Sequence, residues 1–308
     1  MNIVNKLKSI SDETRLRLLH LLTHYELNVN EVVAVVEMVQ SRVSRHLKIL
    51  VEADLLKSRR DGGFVYYSGV VADDNRLIRE LVNQALENQA DCREDLERAA
   101  ALIRERQRRT RRFFESVAET WESRKAEVLG GLDLNRVISE KIGAQPVVAD
   151  LGCGTGSLIA LLCRQSAAII GVDSSPRMLE QARVRTATLD GVNLRLGELE
   201  YLPLRDQEAD AAVMNMVLHH ISEPVKVLTE VGRVLKPGGL FIIADFDKHA
   251  KTAVRDKIGG AWFGFSPEEM EGWLAGAGLR PTGLEPFPVN FGLTVNVFSA
   301  LKNSNNQH

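Results

Sequence analysis

Residues 147–158 read VVADLGCGTGSL, an apolar run closed by an acid and followed by glycine at every second position from 152 to 156. Val147 to Asp150 has the length and composition of a short buried strand. Gly152, Gly154 and Gly156 carry no Cβ, so the turn after the strand can bring backbone close to a ligand before a helix begins at Ser157. A second apolar run ending in an acid, AIIGVD from Ala168 to Asp173, follows at the distance where a βαβ unit holds ribose hydroxyls. The two together predict a nucleoside-binding βαβ unit. A dinucleotide fingerprint would place its third glycine at position 157 and an apolar residue at the strand end; Ser157 and Asp150 stand there, so NAD fits poorly.

Alternation of strand and helix patterns continues downstream, in LGELEYLPL (196–204), DAAVMNMVLHHI (210–221) and VGRVLKPGGLFIIADF (231–246). An α/β domain with a largely parallel sheet is the expected result. Together these segments resemble class I S-adenosylmethionine-dependent methyltransferases of the small-molecule type, over roughly Phe113 to Lys302. By that resemblance Asp150, Gly152, Cys153, Gly154 and Gly156 line the methionine portion of the ligand. Asp173, with Ser174 beside it, takes the ribose hydroxyls, Glu198 and Leu199 flank the adenine, Asn215 faces the sulfur, and Met178 belongs to the pocket wall. His219 and His220 sit between Leu218 and Ile221 with no third ligand near them in sequence, so packing behind the pocket is expected of them rather than metal binding. A sulfonium methyl is already electrophilic and alignment alone can suffice for its transfer, so no catalytic residue is assigned.

Upstream, SDETRLRLLHLL (11–22) has an N-cap serine and apolar residues at helical spacing, and Val29 to Met38 predicts a second helix. SRVSRHLKIL (41–50) puts Val43, Leu47 and Leu50 on one face and its basic residues elsewhere. ADLLKSRRDGGFVYY (53–67) places two β-type runs around Asp61-Gly62-Gly63, a hairpin signal. Between Ser41 and Arg60 there are six Lys or Arg against Glu52 and Asp54, a bias suited to phosphate. Helices followed by a basic hairpin suggest a winged helix-turn-helix.

The segments LKSISDETRLRLLHLL, ELNVNEV, QSRVSRHLKILVEADLL and GGFVYY resemble the ArsR/SmtB family of dimeric winged-helix repressors, over about seventy residues. The resemblance implies that Gln40, Ser41, Arg42, Ser44, Arg45, His46 and Lys48 face operator DNA in the major groove and that Arg59 and Arg60 hold the wing on the minor-groove side; His46 also has a competing reading as a packing or capping histidine. Many members sense metals through cysteines in the stretch matching Glu26 to Val32, where this chain has Asn28 and Asn30. Residues 73–112 add no histidine and one cysteine, too few ligands for a soft-metal site. No metal effector is expected.

Asn75 to Thr110 lacks proline and glycine, and Ile78, Val82, Ala85, Gln89, Cys92, Leu96, Ala99 and Ile103 recur at steps of four and three. That heptad seam predicts a long helix that pairs two subunits, against the plainer reading of a helix packed on its own domain. Arg104 to Arg112 carries six arginines and one glutamate, read as a solubilising linker. Phe113, Phe114, Val117 and Trp121 then form an apolar stripe; FFESVAETW resembles the leader helix that closes a methyltransferase cofactor pocket. The expected organisation is a winged helix-turn-helix at 1–72, a dimerisation and linker helix at 73–112, and a Rossmann-like methyltransferase domain at 113–304.

The 308 residues fit two domains, and 39 Lys plus Arg against 41 Asp plus Glu leave any affinity for nucleic acid to local patches. Cys92, Cys153 and Cys163 lack metal or disulfide spacing, and no apolar run is long enough to span a membrane. A cytoplasmic location is expected. The whole chain resembles ArsR-type regulators fused to a methyltransferase-like domain, among which the SahR type responds to S-adenosylhomocysteine and controls genes of the methionine cycle. That resemblance implies a homodimeric repressor whose pocket takes S-adenosylhomocysteine or S-adenosylmethionine, in place of the metal. The alternative is an active small-molecule methyltransferase with an autoregulatory DNA-binding domain.

Overall fold

The computed structural model describes residues 3–70 and 73–304. The chain divides into two compact units between Arg106 and Gln107, inside the segment expected to be the linker.

The first unit begins with α1 (Ile3–Ser9), α2 (Glu13–His24), β1 (Leu27–Asn28), α3 (Val29–Val36) and α4 (Gln40–Glu52). The cap of α2 is Asp12 rather than Ser11: its carboxylate accepts from Arg15 N at 3.0 Å, while Ser11 Oγ turns back to Lys8 O. Asn28 opens α3 in a reciprocal capping box, accepting from Glu31 N at 3.1 Å while Glu31 Oε2 accepts from Asn28 N at 2.9 Å. Helix α4 buries Val43, Leu47 and Leu50, as its periodicity predicts. The hairpin β2 (Leu56–Asp61) and β3 (Phe64–Gly69) follows, and β3 lies between β1 and β2 in an antiparallel sheet.

The connector differs from the single paired helix that its heptads suggest. Two helices, α5 (Arg76–Leu86) and α6 (Ala90–Val117), are separated at 87–89. The seam residues Ile78, Val82, Cys92, Ala99 and Ile103 are buried in the same core as Leu18, Leu22, Val32 and Leu47. The reason is local: a small, partly polar seam is covered more completely by the aliphatic face of the winged helix than by a copy of itself. The Arg17 guanidinium adds a charged clamp, donating from Nη2 to the buried Asp95 of α6 at 2.7 Å. Other apolar side chains stay outside, Ile3, Val4 and Leu7 on α1 and Leu77 and Leu81 on α5. Lys6 Nζ donates to Asn75 Oδ1 at 2.7 Å and ties α1 to the start of α5.

The second unit takes the end of α6, then α7 (Trp121–Leu129), α8 (Leu134–Ile142), β4 (Val147–Leu151), α9 (Ile159–Leu162), β5 (Ala168–Asp173), α10 (Pro176–Thr186) and β6 (Val192–Leu196). It continues through β7 (Ala209–Asn215), α11 (Pro224–Val234), β8 (Leu235–Phe246), α12 (Thr252–Ile258), α13 (Pro267–Gly276), β9 (Leu279–Val289) and β10 (Leu293–Lys302). The sheet order is β6-β5-β4-β7-β8-β10-β9, parallel from β6 to β8, with β10 antiparallel to both of its neighbours. Strands β4 and β7 are buried along nearly all their length, which explains their unbroken apolar runs. Chain order reverses at β4 and β7, so the crevice for a ligand opens beyond their carboxyl ends. Strand β9 is an edge and carries Pro281, Pro286 and Pro288. Among the described residues no helix is long and apolar enough to cross a membrane.

Removing the Ile103 side chain beyond Cβ leaves a cavity in the first unit's core, so Ile103→Ala should cost about 2 to 4 kcal/mol. Denaturant titration at several protein concentrations checks this. The loss should not vary with concentration; a loss confined to dilute protein would assign the seam to a subunit interface instead.

Candidate functional site

The turn after β4 is laced to the neighbouring strand. Val172 O accepts from Gly152 N at 2.8 Å and from Cys153 N at 2.9 Å, and Asp173 Oδ2 accepts from Gly154 N at 2.9 Å. Gly152 has φ +78°, and a Cβ there would lie 2.6 Å from Val217 Cγ2. Only glycine meets both conditions. Gly156 has a different job: its missing Cβ lets α10 approach, since one would lie 3.1 Å from Ala182 Cβ. Ser175 caps α10, and Asp173 Oδ1 accepts from Ser175 N at 2.9 Å.

Beyond these strand ends lies a cavity of about 730 Å³, its open mouth included. Its wall brings together Gly152, Gly154, Asp173, Ser174, Met178, Glu198, Leu199 and Asn215, all nominated from the sequence. Asp150 and Cys153 instead line a smaller recess of about 290 Å³, which shares Gly152, Gly154 and Asn215 with the main cavity and adds Glu122 and Lys125 of α7. Gly156 lines neither, being occupied with helix packing. The Cys153 sulfur packs at the bare Cα of Gly171.

Several wall residues carry no motif. Gln107, Thr110 and Phe114 come from the end of α6, Trp121 from α7, and Glu200 follows β6. Of these, only Phe114 and Trp121 were indicated, by the leader-helix resemblance. His220, expected behind the pocket, lies on its wall, while His219 lies behind it with Nδ1 2.8 Å from Asp245 Oδ1. Polar contacts tie α6 to the acids: Gln107 Nε2 donates to Glu200 Oε1 at 3.1 Å, and the Arg111 guanidinium pairs with the Glu198 carboxylate.

Burial governs the titratable groups. Desolvation pushes Asp150 up to about 7; the nearby Lys125 ammonium opposes the rise and the Asp173 carboxylate adds to it. Asp150 Oδ2 has no hydrogen-bond partner. Desolvation also raises Asp173, restrained by the N–H groups of Ser175 and Gly154, and holds Lys125 below the usual lysine range. Burial, then the adjacent His219, keeps His220 far below the ordinary histidine value, hence neutral.

On the first unit, Gln40, Ser41, Arg42, Arg45 and Lys48 are exposed along α4, with Ser44 half-buried between them. His46 is 9% exposed and belongs to the inner face, 3.9 Å from the Asp12 carboxylate that caps α2. That is the packing alternative, and it takes His46 off the candidate DNA surface. Arg60 and Lys57 are exposed on β2. Arg59, also nominated for DNA, has a side chain only 9% exposed; its Nε donates to Glu26 Oε1 at 3.1 Å and its guanidinium stacks over Tyr66. Strand alternation turns Arg59 inward and Arg60 outward. Asn28, at the position where relatives place metal ligands, is occupied as the α3 cap, and no metal-holding group of His, Cys, Asp or Glu occurs among the described residues.

Residues 12–58 match the bacterial regulatory protein arsR family, and residues 149–243 match the methyltransferase domain family. The chain therefore carries an arsR-type DNA-binding domain followed by a class I methyltransferase domain. Among curated relatives, it is 39% identical over 121 residues to an uncharacterized 37.1 kDa protein in transposon TN4556 of Streptomyces fradiae, covering 38% of this chain and 35% of that protein. It is 29% identical over 193 residues to a demethylmenaquinone methyltransferase of Symbiobacterium thermophilum, covering 59% of this chain and 76% of that enzyme. The chain thus spans about a third of the first of these relatives. A methyltransferase solved in complex with the Haloferax volcanii Trm112 methyltransferase activator shares the fold, with a TM-score of 0.54 at 19% identity over 65% of this chain and all of that one.

A cationic ligand group beside Asp150 favours its charged form, so ligand binding releases the proton this carboxyl holds below about pH 7. Affinity for S-adenosylhomocysteine should rise as pH increases from about 5.5 to 8, by up to roughly tenfold per unit below the Asp150 pKa. Asp150→Asn should flatten the profile. Calorimetry across this range checks it, and a flat wild-type profile would remove Asp150 from the site.

Proposed function

We propose that this chain is a DNA-binding transcriptional repressor that reads the cellular S-adenosyl pool. Its methyltransferase-like domain takes S-adenosylhomocysteine, or S-adenosylmethionine, and occupancy changes affinity for operator DNA upstream of methionine-cycle genes. The protein acts in the cytoplasm as a homodimer. The observation that carries the reading is the pairing of Arg111 and Gln107 with Glu198 and Glu200. A ligand whose adenosine engages Glu198 competes with Arg111 for the same carboxylate. Arg111 sits on α6, the helix that also buries Cys92, Ala99 and Ile103 in the winged-helix core. Occupancy is thereby linked to the helix on which the DNA-binding unit is built, and a coupling of about 1 to 3 kcal/mol suffices for regulation.

The other parts of the reading have their own support. The exposed apolar side chains of α1 and α5 offer a dimer face in place of the buried seam. Two copies related by a two-fold axis would present two α4 helices to a palindrome. S-adenosylmethionine differs from its demethylated product by a methyl group and a positive charge, so a pocket that leaves the sulfonium uncompensated prefers the product. A second reading, an active enzyme with an autoregulatory DNA-binding domain, is favoured by one observation, the imidazole of His220 on the pocket wall.

Operator affinity, measured at fixed salt on a duplex that the protein selects from a random pool, should change about 5- to 150-fold when S-adenosylhomocysteine saturates the pocket. Arg111→Ala should reduce that change. Arg42→Ala and Arg45→Ala should each weaken DNA binding and, where the contact is to phosphate, lower the salt slope by about one. Equal affinity for both S-adenosyl ligands, or DNA binding indifferent to either, would sink the sensor reading.

A further inference from the structure

The cavity beyond the strand ends has more polar wall than a nucleoside thioether needs. The turns after β4, β5 and β6 supply Gly152, Gly154, Asp173 and Glu198, the groups suited to an S-adenosyl ligand. The rest of the wall comes from the segment after β7 and from α6, and there two buried polar atoms have no hydrogen-bond partner, His220 Nε2 and Ser222 Oγ. His220 and Ser222 are each 3% exposed. A buried polar atom without a partner costs about 1 to 3 kcal/mol, and two on one cavity wall mark a place where a ligand can supply the missing bonds.

The chemistry of the imidazole is set by its other nitrogen. His220 Nδ1 lies 3.3 Å from Gly259 O, and a carbonyl can only accept, so Nδ1 carries the hydrogen. In the neutral ring Nε2 is then a bare lone pair, an acceptor that asks for a donor. The ring is held in place from behind by His219, 3.8 Å away between centroids, itself fixed by Asp245. Around it stand flat apolar groups: Phe114 packs edge-on at 4.7 Å and Trp121 at 6.1 Å, with Val217 and Ile221 completing that part of the wall.

We propose that this part of the cavity is a second ligand site, which takes a small ring-bearing hydroxyl compound as methyl acceptor with its O–H donated to His220 Nε2. The proposal rests on the reading that the glycine-loop side holds the S-adenosyl ligand. In the transfer, an oxygen lone pair forms the bond to the methyl carbon while the carbon–sulfur bond breaks and returns its electron pair to sulfur. The hydroxyl proton passes to His220 Nε2 and leaves to solvent with the product. Hydroxyl compound and S-adenosylmethionine become methyl ether and S-adenosylhomocysteine, with one proton released.

Phenol and its methyl ether, anisole, have the same ring and differ in the donor. Calorimetry first establishes binding of S-adenosylhomocysteine to the full chain, then titrates each probe into the saturated protein. Phenol should bind about tenfold tighter than anisole, the worth of one buried hydrogen bond. The ratio should fall to about one in His220→Phe and be largely kept in His220→Gln, whose amide oxygen still accepts. Taking the ratio within each variant separates the missing acceptor from a general loss of folded protein. With S-adenosylmethionine in place of the product, anisole should form from phenol and be detected by mass spectrometry. Equal binding of the probes to saturated wild-type protein, a preference that survives in His220→Phe, or no anisole would overturn the proposal while leaving the S-adenosyl reading intact. Failure of S-adenosylhomocysteine to bind at all would overturn both.

Discussion

The carboxylate of Asp173 holds the site together. One of its oxygens accepts from Gly154 N and the other from Ser175 N, so a single anion joins the turn after β4, the end of β5 and the start of α10. Burying such a charge is unfavourable by itself, and the backbone donors offset the cost because they are fixed by the sheet before the carboxylate arrives. The bonds from Gly152 N and Cys153 N to Val172 O pull the same turn in the same direction. Backbone that is free to adopt positive φ is thereby confined to one shape, and the cavity wall formed by Gly152, Gly154 and Ser174 follows from it.

Around that fixed point the charges are distributed unevenly. Asp150 and Lys125 both lose solvation and are each driven toward neutrality, whereas Glu198 keeps a guanidinium from α6 beside it. The recess near Asp150 is therefore sensitive to the charge of whatever enters it, and the acids after β6 already have partners from the chain itself. A methyltransferase fold that serves catalysis alone has no need to spend arginine and glutamine side chains of a preceding helix on these acids. Here α6 is a long element with one part in the core of the DNA-binding unit and its last turns in the pocket wall.

What could be read from the sequence was local. The glycine turn, the two strand-end acids and the basic face of α4 depend on residues close together in the chain, and their spacing states their geometry. Burial is decided by distant residues, which is why His46 and Arg59 read as surface groups until Asp12 and Glu26 come beside them. The heptads of the connector told which face of the helices is covered but not what covers it; the aliphatic side chains of the winged helix do. Gln107, Thr110 and Phe114 were hidden for a related reason, since an arginine-rich helix end carries no pattern that distinguishes a pocket wall from a solvated linker. The two histidines differ by one position and face different surroundings, a distinction set by Asp245 and Gly259, residues 26 and 39 positions away from their respective partners.

The edge strand β9 has a bearing on colloidal behaviour. An open sheet edge offers unpaired N–H and C=O groups on which another chain can extend the sheet. Pro281, Pro286 and Pro288 remove the donor at three positions of that edge. Growth of the seven-stranded sheet from this side is thus blocked by covalent chemistry rather than by charge, and the blocking persists at high salt, where electrostatic repulsion between copies is screened.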